Sequence, residues 1–274
     1  MVYMILKLFF DKKNTFYGML FAAFLPINMS YGIIAYADST LAFFIIASVY
    51  YALKNRIYLS SFSLSFAILT KYTGIVITPL LLYMIFKKNR KSFLKYWSLL
   101  LIIVALVSMP WYIRNWIYLK NPVYPVLNSL FHGVEIGTTF PSFDFSRLIS
   151  INSVIFPFLE FFGVPDGHPS NIFFFKMPLM PVLLTIWLIA TILFILPIFF
   201  GFKLKKGQRN MALIWLLSFL FMGVLHILNV GWSIGRRLIP VVTALAFFWG
   251  TGINNIIKKV IHKKFIFVNY SKSK

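Results

Sequence analysis

Long apolar runs separated by short clusters of lysine and arginine dominate this chain of 274 residues. Hydrophobic residues make up 60% of it, and a water-soluble fold of this length has no interior large enough to bury so many. Lipid must cover the surplus, so the sequence predicts an all-α, polytopic integral membrane protein. The net charge of +21 is scattered between the apolar runs, which argues against a nucleic-acid partner.

The apolar runs predict about eight transmembrane helices, which form a single membrane domain over residues 1–274. A crossing needs about 20 apolar residues, and shorter runs suffice where protein surrounds them. One helix over residues 58–86 would measure roughly 43 Å, too long for a core of about 30 Å, so we predict two short helices that turn at residues 71–74. The predicted spans are residues 16–34, 40–53, 58–70, 73–86, 96–113, 178–202, 211–230 and 238–257.

The basic residues divide unequally between the two sides of this topology. The side that holds both termini carries 20 of the 27 Lys and Arg residues, and the positive-inside rule places that side in the cytoplasm. Residues 148–163 are apolar but contain Pro157 and Glu160, so we interpret them as interfacial or re-entrant. Residues 114–176 then form an outer segment, rich in Pro and aromatic residues, that lies at the membrane surface.

The cysteine and histidine content argues against thiol chemistry and against a metal site. The chain has no cysteine, which excludes disulfides and thiolate ligands. Its four histidines are widely spaced and show no metal-ligand pattern, so we predict no metal site. The sequence leaves any cofactor unknown.

Charged residues at the outer ends of the predicted helices are the candidate site, because charge near lipid is costly. Asp38 is interpreted either as a helix N-cap, a role shared with Ser39, or as a carboxylate directed into an outward cavity. Lys71, at the predicted hairpin turn, either extends to the interface or binds an anionic group such as phosphate.

Arginines on the outer side extend this interpretation. Arg114 and Asn115 end a predicted span, and Tyr124 follows between two prolines. Arg236 and Arg237 precede the last span, where topology does not explain adjacent positive charges. They either contact lipid headgroups or bind a phosphate, for which the guanidinium is well suited. Together with Lys71, these residues predict an outward cavity that holds a lipid phosphate.

Several motifs resemble those of one known family. Residues 109–115 (MPWYIRN) and 121–125 (NPVYP) resemble the "PWYxRN…GNPxYP" pattern of GT-C glycosyltransferases, in the branch related to protein mannosyltransferases and aminoarabinose transferases. Residues 69–74 (LTKYTG), 35–38 (AYAD) and 237–240 (RLIP) resemble further motifs of that branch, and all of them occur in the family order.

The resemblance implies a GT-C-like membrane enzyme that transfers a hexosyl or pentosyl group from a polyprenyl-phosphate donor on the extracytoplasmic face. The acceptor is a protein, a lipid or a glycan, and membrane lipids surround the enzyme. A carboxylate acts as general base, and cations stabilise the departing lipid phosphate. Asp38 is the candidate base, and the residues that match substrate-binding positions or flank them are Lys71, Tyr72, Arg114, Asn115, Tyr124, Arg236 and Arg237.

One departure from the family pattern concerns the N-terminus. The family's principal catalytic carboxylate lies in the first outer loop, whereas Asp38 matches the second and no outer loop precedes it. Residues 1–10 resemble the end of a membrane helix, so we expect the N-terminal part of the family's fold to be missing and activity to be impaired. A transporter or lipid flippase, and a non-catalytic membrane subunit, are the alternative interpretations.

Overall fold

The computed structural model describes residues 1–25, 28, 37–124, 128–134, 192, 196–198, 201, 204–230 and 239–272. Over these residues the regular structure is entirely helical, as predicted. The α-helices, numbered in chain order, are α1 Val2–Leu6, α2 Lys12–Phe24, α3 Ala37–Leu53, α4 Ile57–Thr70, α5 Thr78–Lys88, α6 Phe93–Leu119, α7 Asn128–Phe131, α8 Lys206–Val230 and α9 Val242–Lys272. Two 3₁₀ helices, Tyr72–Ile77 and Arg90–Ser92, lead into α5 and α6.

The N-terminal residues pack into the helical core. Ile5 and Leu6 in α1 are completely buried, and the rings of Phe9 and Phe10 lie 5.4 and 5.2 Å from the ring of Phe247 in α9. This short helix therefore contributes to the interior of the fold.

Helix α2 is shorter than the span predicted over residues 16–34. It begins after Asp11, whose side chain accepts the Asn14 N–H at 3.0 Å as an N-cap. It ends at Phe24, and Leu25 is extended because a residue before proline avoids the helical region. Helix α2 therefore ends ten residues before the end of that predicted span, and most of residues 26–36 lie outside the described residues.

Helices α3, α4 and α5 are successively antiparallel, so their ends meet at two opposite ends of the fold. Asn55 follows the end of α3 and is a left-handed residue with φ of 58°. Its side chain accepts a 2.8 Å hydrogen bond from the Asn89 amide beyond α5. The opposite ends of the same segments meet where Lys71 contacts Asp38. The chain therefore reverses direction at Lys71, within residues 71–74 where the sequence predicts a turn. Helix α5 packs against α3 and α8.

Buried serines of α4 satisfy their hydroxyl groups locally, which an apolar environment requires. The hydroxyls of Ser61 and Ser65 donate to carbonyls one turn earlier in α4, each at 2.8 Å. Ser60 instead donates to the Ser48 carbonyl of α3, also at 2.8 Å. These small side chains let α3 and α4 pack closely, as is common between helices in membranes.

Helix α6 presents apolar side chains outward. The stretch Arg90–Leu119 is long and apolar enough to cross a membrane. Only 11% of its most apolar 18-residue segment is buried inside the protein. Leu94, Leu106 and Ile117 each expose more than half of their surface. Such a continuous apolar surface is rare on soluble proteins and fits contact with lipid. Arg114 and Asn115 lie inside this helix and not after its end, since it continues through Pro110 to Leu119.

Ile239–Val260 is the second described stretch that is long and apolar enough to cross a membrane, and 67% of its most apolar 18-residue segment is buried inside the protein. Helix α9 is thus central where α6 is peripheral. Among the described residues two such stretches are found, together with the shorter apolar helices Ala37–Leu53 and Ile57–Thr70. The predicted span over residues 178–202 lies almost wholly outside the described residues.

Helices α2 and α9 approach closely at glycines. A Cβ at Gly250 would lie 2.5 Å from the Asn14 carbonyl oxygen, and one at Gly18 would lie 2.8 Å from that of Ala246. One turn further along α9, the Asn254 amide donates to the Asn14 side-chain oxygen at 2.7 Å. Small residues with an interhelical hydrogen bond are the usual means of holding helices together in lipid, where the hydrophobic effect adds little.

Candidate functional site

A buried ion pair is the centre of the candidate site. The Lys71 ammonium lies 2.6 Å from Asp38 Oδ1, and the side chains are 22% and 3% exposed respectively. Asp38 occupies the first turn of α3 and is not its N-cap, so the capping interpretation was wrong in detail. Its carboxylate is still favourably placed, because the positive end of the helix dipole stabilises a negative charge there.

The backbone between α4 and the following 3₁₀ helix directs Lys71 toward Asp38. Lys71 is extended, with φ of −161°, and this breaks the helix after Thr70. Its carbonyl accepts the Gly74 N–H at 2.8 Å, which closes a tight turn. A Cβ at Gly74 would lie 2.7 Å from the carbonyl carbon of Ala67, so only glycine fits this close approach. Tyr72 begins the 3₁₀ helix and is half-buried.

Arg114 is exposed near the end of α6 and contacts residues of its own helix. Its guanidinium lies 5.1 Å from the ring centre of Trp111 and 5.8 Å from that of Tyr118, both within cation–π range. It also donates a long hydrogen bond of 3.4 Å to Asn115, which is buried. The aromatic rings thus hold a positive charge at the end of an apolar helix.

The turn after α6 is organised by Asn121. Lys120 ends the helix in the left-handed conformation, and the fully buried Asn121 accepts the Val123 N–H at 3.0 Å. The Asn121 amide donates to the Asn128 side chain at 3.1 Å. Tyr124 follows in this turn and is half-buried. Residues 121–124 of the motif form this turn, and the sequence analysis did not predict this role for Asn121.

The structure therefore joins two of the predicted site residues directly and describes four others without bringing them into that contact. Asp38 and Lys71 form the ion pair, a specific pairing that neither motif predicts by itself. Arg236 and Arg237 lie outside the described residues. Within the described part of the chain, no three His, Cys, Asp or Glu side chains gather as a metal site would require.

The fold and the site together define a helical membrane protein with a buried Lys–Asp pair where three of its helical segments meet. Residues 1–113 match the model of the family described as dolichyl-phosphate-mannose-protein mannosyltransferase. This match confirms the predicted resemblance to GT-C membrane glycosyltransferases over residues 1–113, a region of less than half of the chain.

The matched region includes Asp38, Lys71 and Tyr72 and ends one residue before Arg114. The motifs over residues 121–125 and 237–240 therefore rest on resemblance alone. No curated protein matches the chain, and no solved structure does either.

Proposed function

We propose that this chain is a multi-pass GT-C glycosyltransferase of about eight spans that transfers a hexosyl or pentosyl group from a polyprenyl-phosphate donor on the extracytoplasmic face. The buried Lys71–Asp38 pair carries this proposal, since it lies inside the family match and at the end of the helices opposite the lysine clusters. The acceptor is a hydroxyl of a protein, a lipid or a glycan.

The chemistry requires a cation beside the leaving phosphate. The acceptor oxygen attacks the anomeric carbon, the bond from that carbon to the phosphate oxygen breaks, and the acceptor proton passes to a carboxylate. The lipid phosphate leaves with one more negative charge than it carried in the donor. Lys71 stabilises this charge and Asp38 fixes the position of its ammonium, while Asp38 is also the candidate base.

The remaining site residues bind other parts of the substrates. Arg114, Arg236 and Arg237 bind anionic oxygens of the donor, and Arg114 is already held by two aromatic rings. Tyr72, Asn115 and Tyr124 contact the sugar or the acceptor.

Sugar transfer is tested with a variant that removes both charges of the Lys71–Asp38 pair, so that neither is left buried without its partner. The double substitution Asp38→Asn with Lys71→Met should fold and should lower the transfer rate about 10²–10³-fold, as expected when a transition-state donor is lost. Radiolabelled transfer from polyprenyl-phosphate mannose and from the corresponding pentosyl donor is measured in proteoliposomes that contain the full chain.

Lys120→Asn is the matched control, because it removes an exposed lysine and asparagine tolerates the left-handed backbone. The control should transfer at the unmodified rate. If the unmodified chain turns over none of the donors, or the double variant is as fast as the control, the proposal is wrong. Movement of the donor lipid across the bilayer without sugar transfer would favour a flippase instead.

The proposed topology places the Lys71 end outside and both termini in the cytoplasm. Because the chain has no cysteine, single cysteines report the side directly. In intact cells, a membrane-impermeant maleimide should label Lys120→Cys and should label Lys91→Cys only after permeabilisation; both lysines are exposed. The reverse pattern would contradict the orientation, and labelling of both positions in intact cells would contradict a spanning α6.

A further inference from the structure

Lysines from two separate parts of the chain come together at the end of the fold opposite the ion pair. The Lys88 ammonium donates to the Leu53 carbonyl at the end of α3, at 2.9 Å. The neighbouring Lys87 ammonium lies 2.8 Å from the position that a Cβ at Gly207 would occupy, in the first turn of α8. Lys205 and Lys206 immediately precede that glycine and are exposed, as is Lys87. We call Lys87, Lys205 and Lys206 the basic patch.

The patch is anchored on rigid backbone. Gln208 accepts the Lys205 N–H at 3.2 Å and donates through its amide to the Phe9 carbonyl at 3.0 Å. The start of α8 is thereby fixed to the N-terminal segment. The contacts of Lys88 and Asn89 fix the end of α5 to the end of α3 in the same way. The three lysines are therefore held near one another and not on independent loops.

No described carboxylate compensates this charge. Among the described residues the acids are Asp11 and Asp38; Asp38 pairs with Lys71, and Asp11 caps α2. The patch also surrounds the N-terminus of α8, whose helix dipole is positive and favours negative neighbours. Cations in this position repel both the dipole and one another, so an external anion would stabilise them.

The surroundings identify the anion. Helix α6 begins at Phe93, one short 3₁₀ helix after α5. Its first turns carry the exposed Lys95 and the half-buried Tyr96 and Trp97, followed by the lipid-facing apolar surface. Lysine with Tyr and Trp is typical of the headgroup level of a membrane. The patch thus lies at the height of lipid headgroups, beside a surface that lipid chains cover.

We propose that the basic patch binds the headgroup of anionic phospholipid in the leaflet at the lysine-rich end. The inference depends on the membrane placement of α6 and not on the transferase activity. Each lysine near an anionic headgroup contributes favourably, and the attraction falls off within a Debye length of about 10 Å at 0.1 M salt.

The test measures lipid retention by the purified full chain. The protein is exchanged into nanodiscs of phosphatidylcholine containing about one quarter phosphatidylglycerol, and the phosphatidylglycerol that co-purifies after delipidation is quantified by mass spectrometry. The unmodified chain should enrich phosphatidylglycerol over phosphatidylcholine. The triple variant Lys87→Gln, Lys205→Gln and Lys206→Gln should lower that enrichment about tenfold at low ionic strength.

A second triple variant, Lys12→Gln, Lys13→Gln and Lys258→Gln, is the matched control, since it removes the same charge from exposed lysines outside the patch. It should keep most of the enrichment. Equal losses in both variants would show general surface attraction and overturn the proposed site, as would an unmodified chain without preference for phosphatidylglycerol. Because no sugar donor is used, the result is independent of the proposed transferase activity.

Discussion

Replacing Lys71 with methionine is expected to destabilise the folded chain by about 3–5 kcal/mol. The substitution leaves the Asp38 carboxylate 3% exposed without its partner at 2.6 Å, and an unpaired buried charge is costly. Asp38→Asn should cost less, because Lys71 is 22% exposed and its long side chain can reach water. The measurement is reversible unfolding by denaturant in micelles, followed by circular dichroism.

The double variant Asp38→Asn with Lys71→Met tests whether the loss of stability in Lys71→Met comes from breaking the ion pair. Neutralising both members removes the unpaired charge, so its loss of stability should be smaller than that of Lys71→Met alone. Lys120→Met, at an exposed site, should stay within about 0.5 kcal/mol of the unmodified chain. Strictly additive single and double variants would mean that the two side chains do not interact, and the site would then lose its central feature.

Replacing Gly250 with leucine is expected to separate α2 from α9 and to destabilise the chain by about 1–3 kcal/mol or more. The first atom of the new side chain would lie 2.5 Å from the Asn14 carbonyl oxygen, and a backbone atom cannot move aside as a flexible side chain can. The hydrogen bond from Asn254 to Asn14 is one turn away and should be lost with the same displacement. Unfolding is measured in the same way as for the ion pair.

Gly207→Ala is the control for this prediction. Its Cβ would meet the tip of the Lys87 side chain, which can move at little cost, and alanine favours a helix by about 1 kcal/mol over glycine. The control should therefore be neutral or stabilising. If Gly250→Leu unfolds no earlier than Gly207→Ala, the close contact between α2 and α9 is not present in solution.

The sequence predicted the helical membrane class and the break at Lys71 because both follow from neighbouring residues. Residue size and hydropathy summed over consecutive positions decide whether a run suits lipid, and helix length decides where residues 58–86 must divide. The boundaries were less well predicted. The helix from Lys12 ends at Phe24 because Pro26 follows Leu25, and Arg114 lies within α6 because that helix continues past Pro110.

The family motifs identified Asp38 and Lys71 separately, as an acid and a base near the outer ends of different helices. Their contact joins residues 33 positions apart, and hydropathy contains no information on which helices pack together. The same holds for Asn14 and Asn254, which lie 240 positions apart, and for the approach of Lys87 to Gly207. The sequence by itself determined that this chain is helical and requires lipid, since those properties are local. Only the tertiary structure decided which charges are paired and which remain uncompensated, because that depends on helix packing between distant residues.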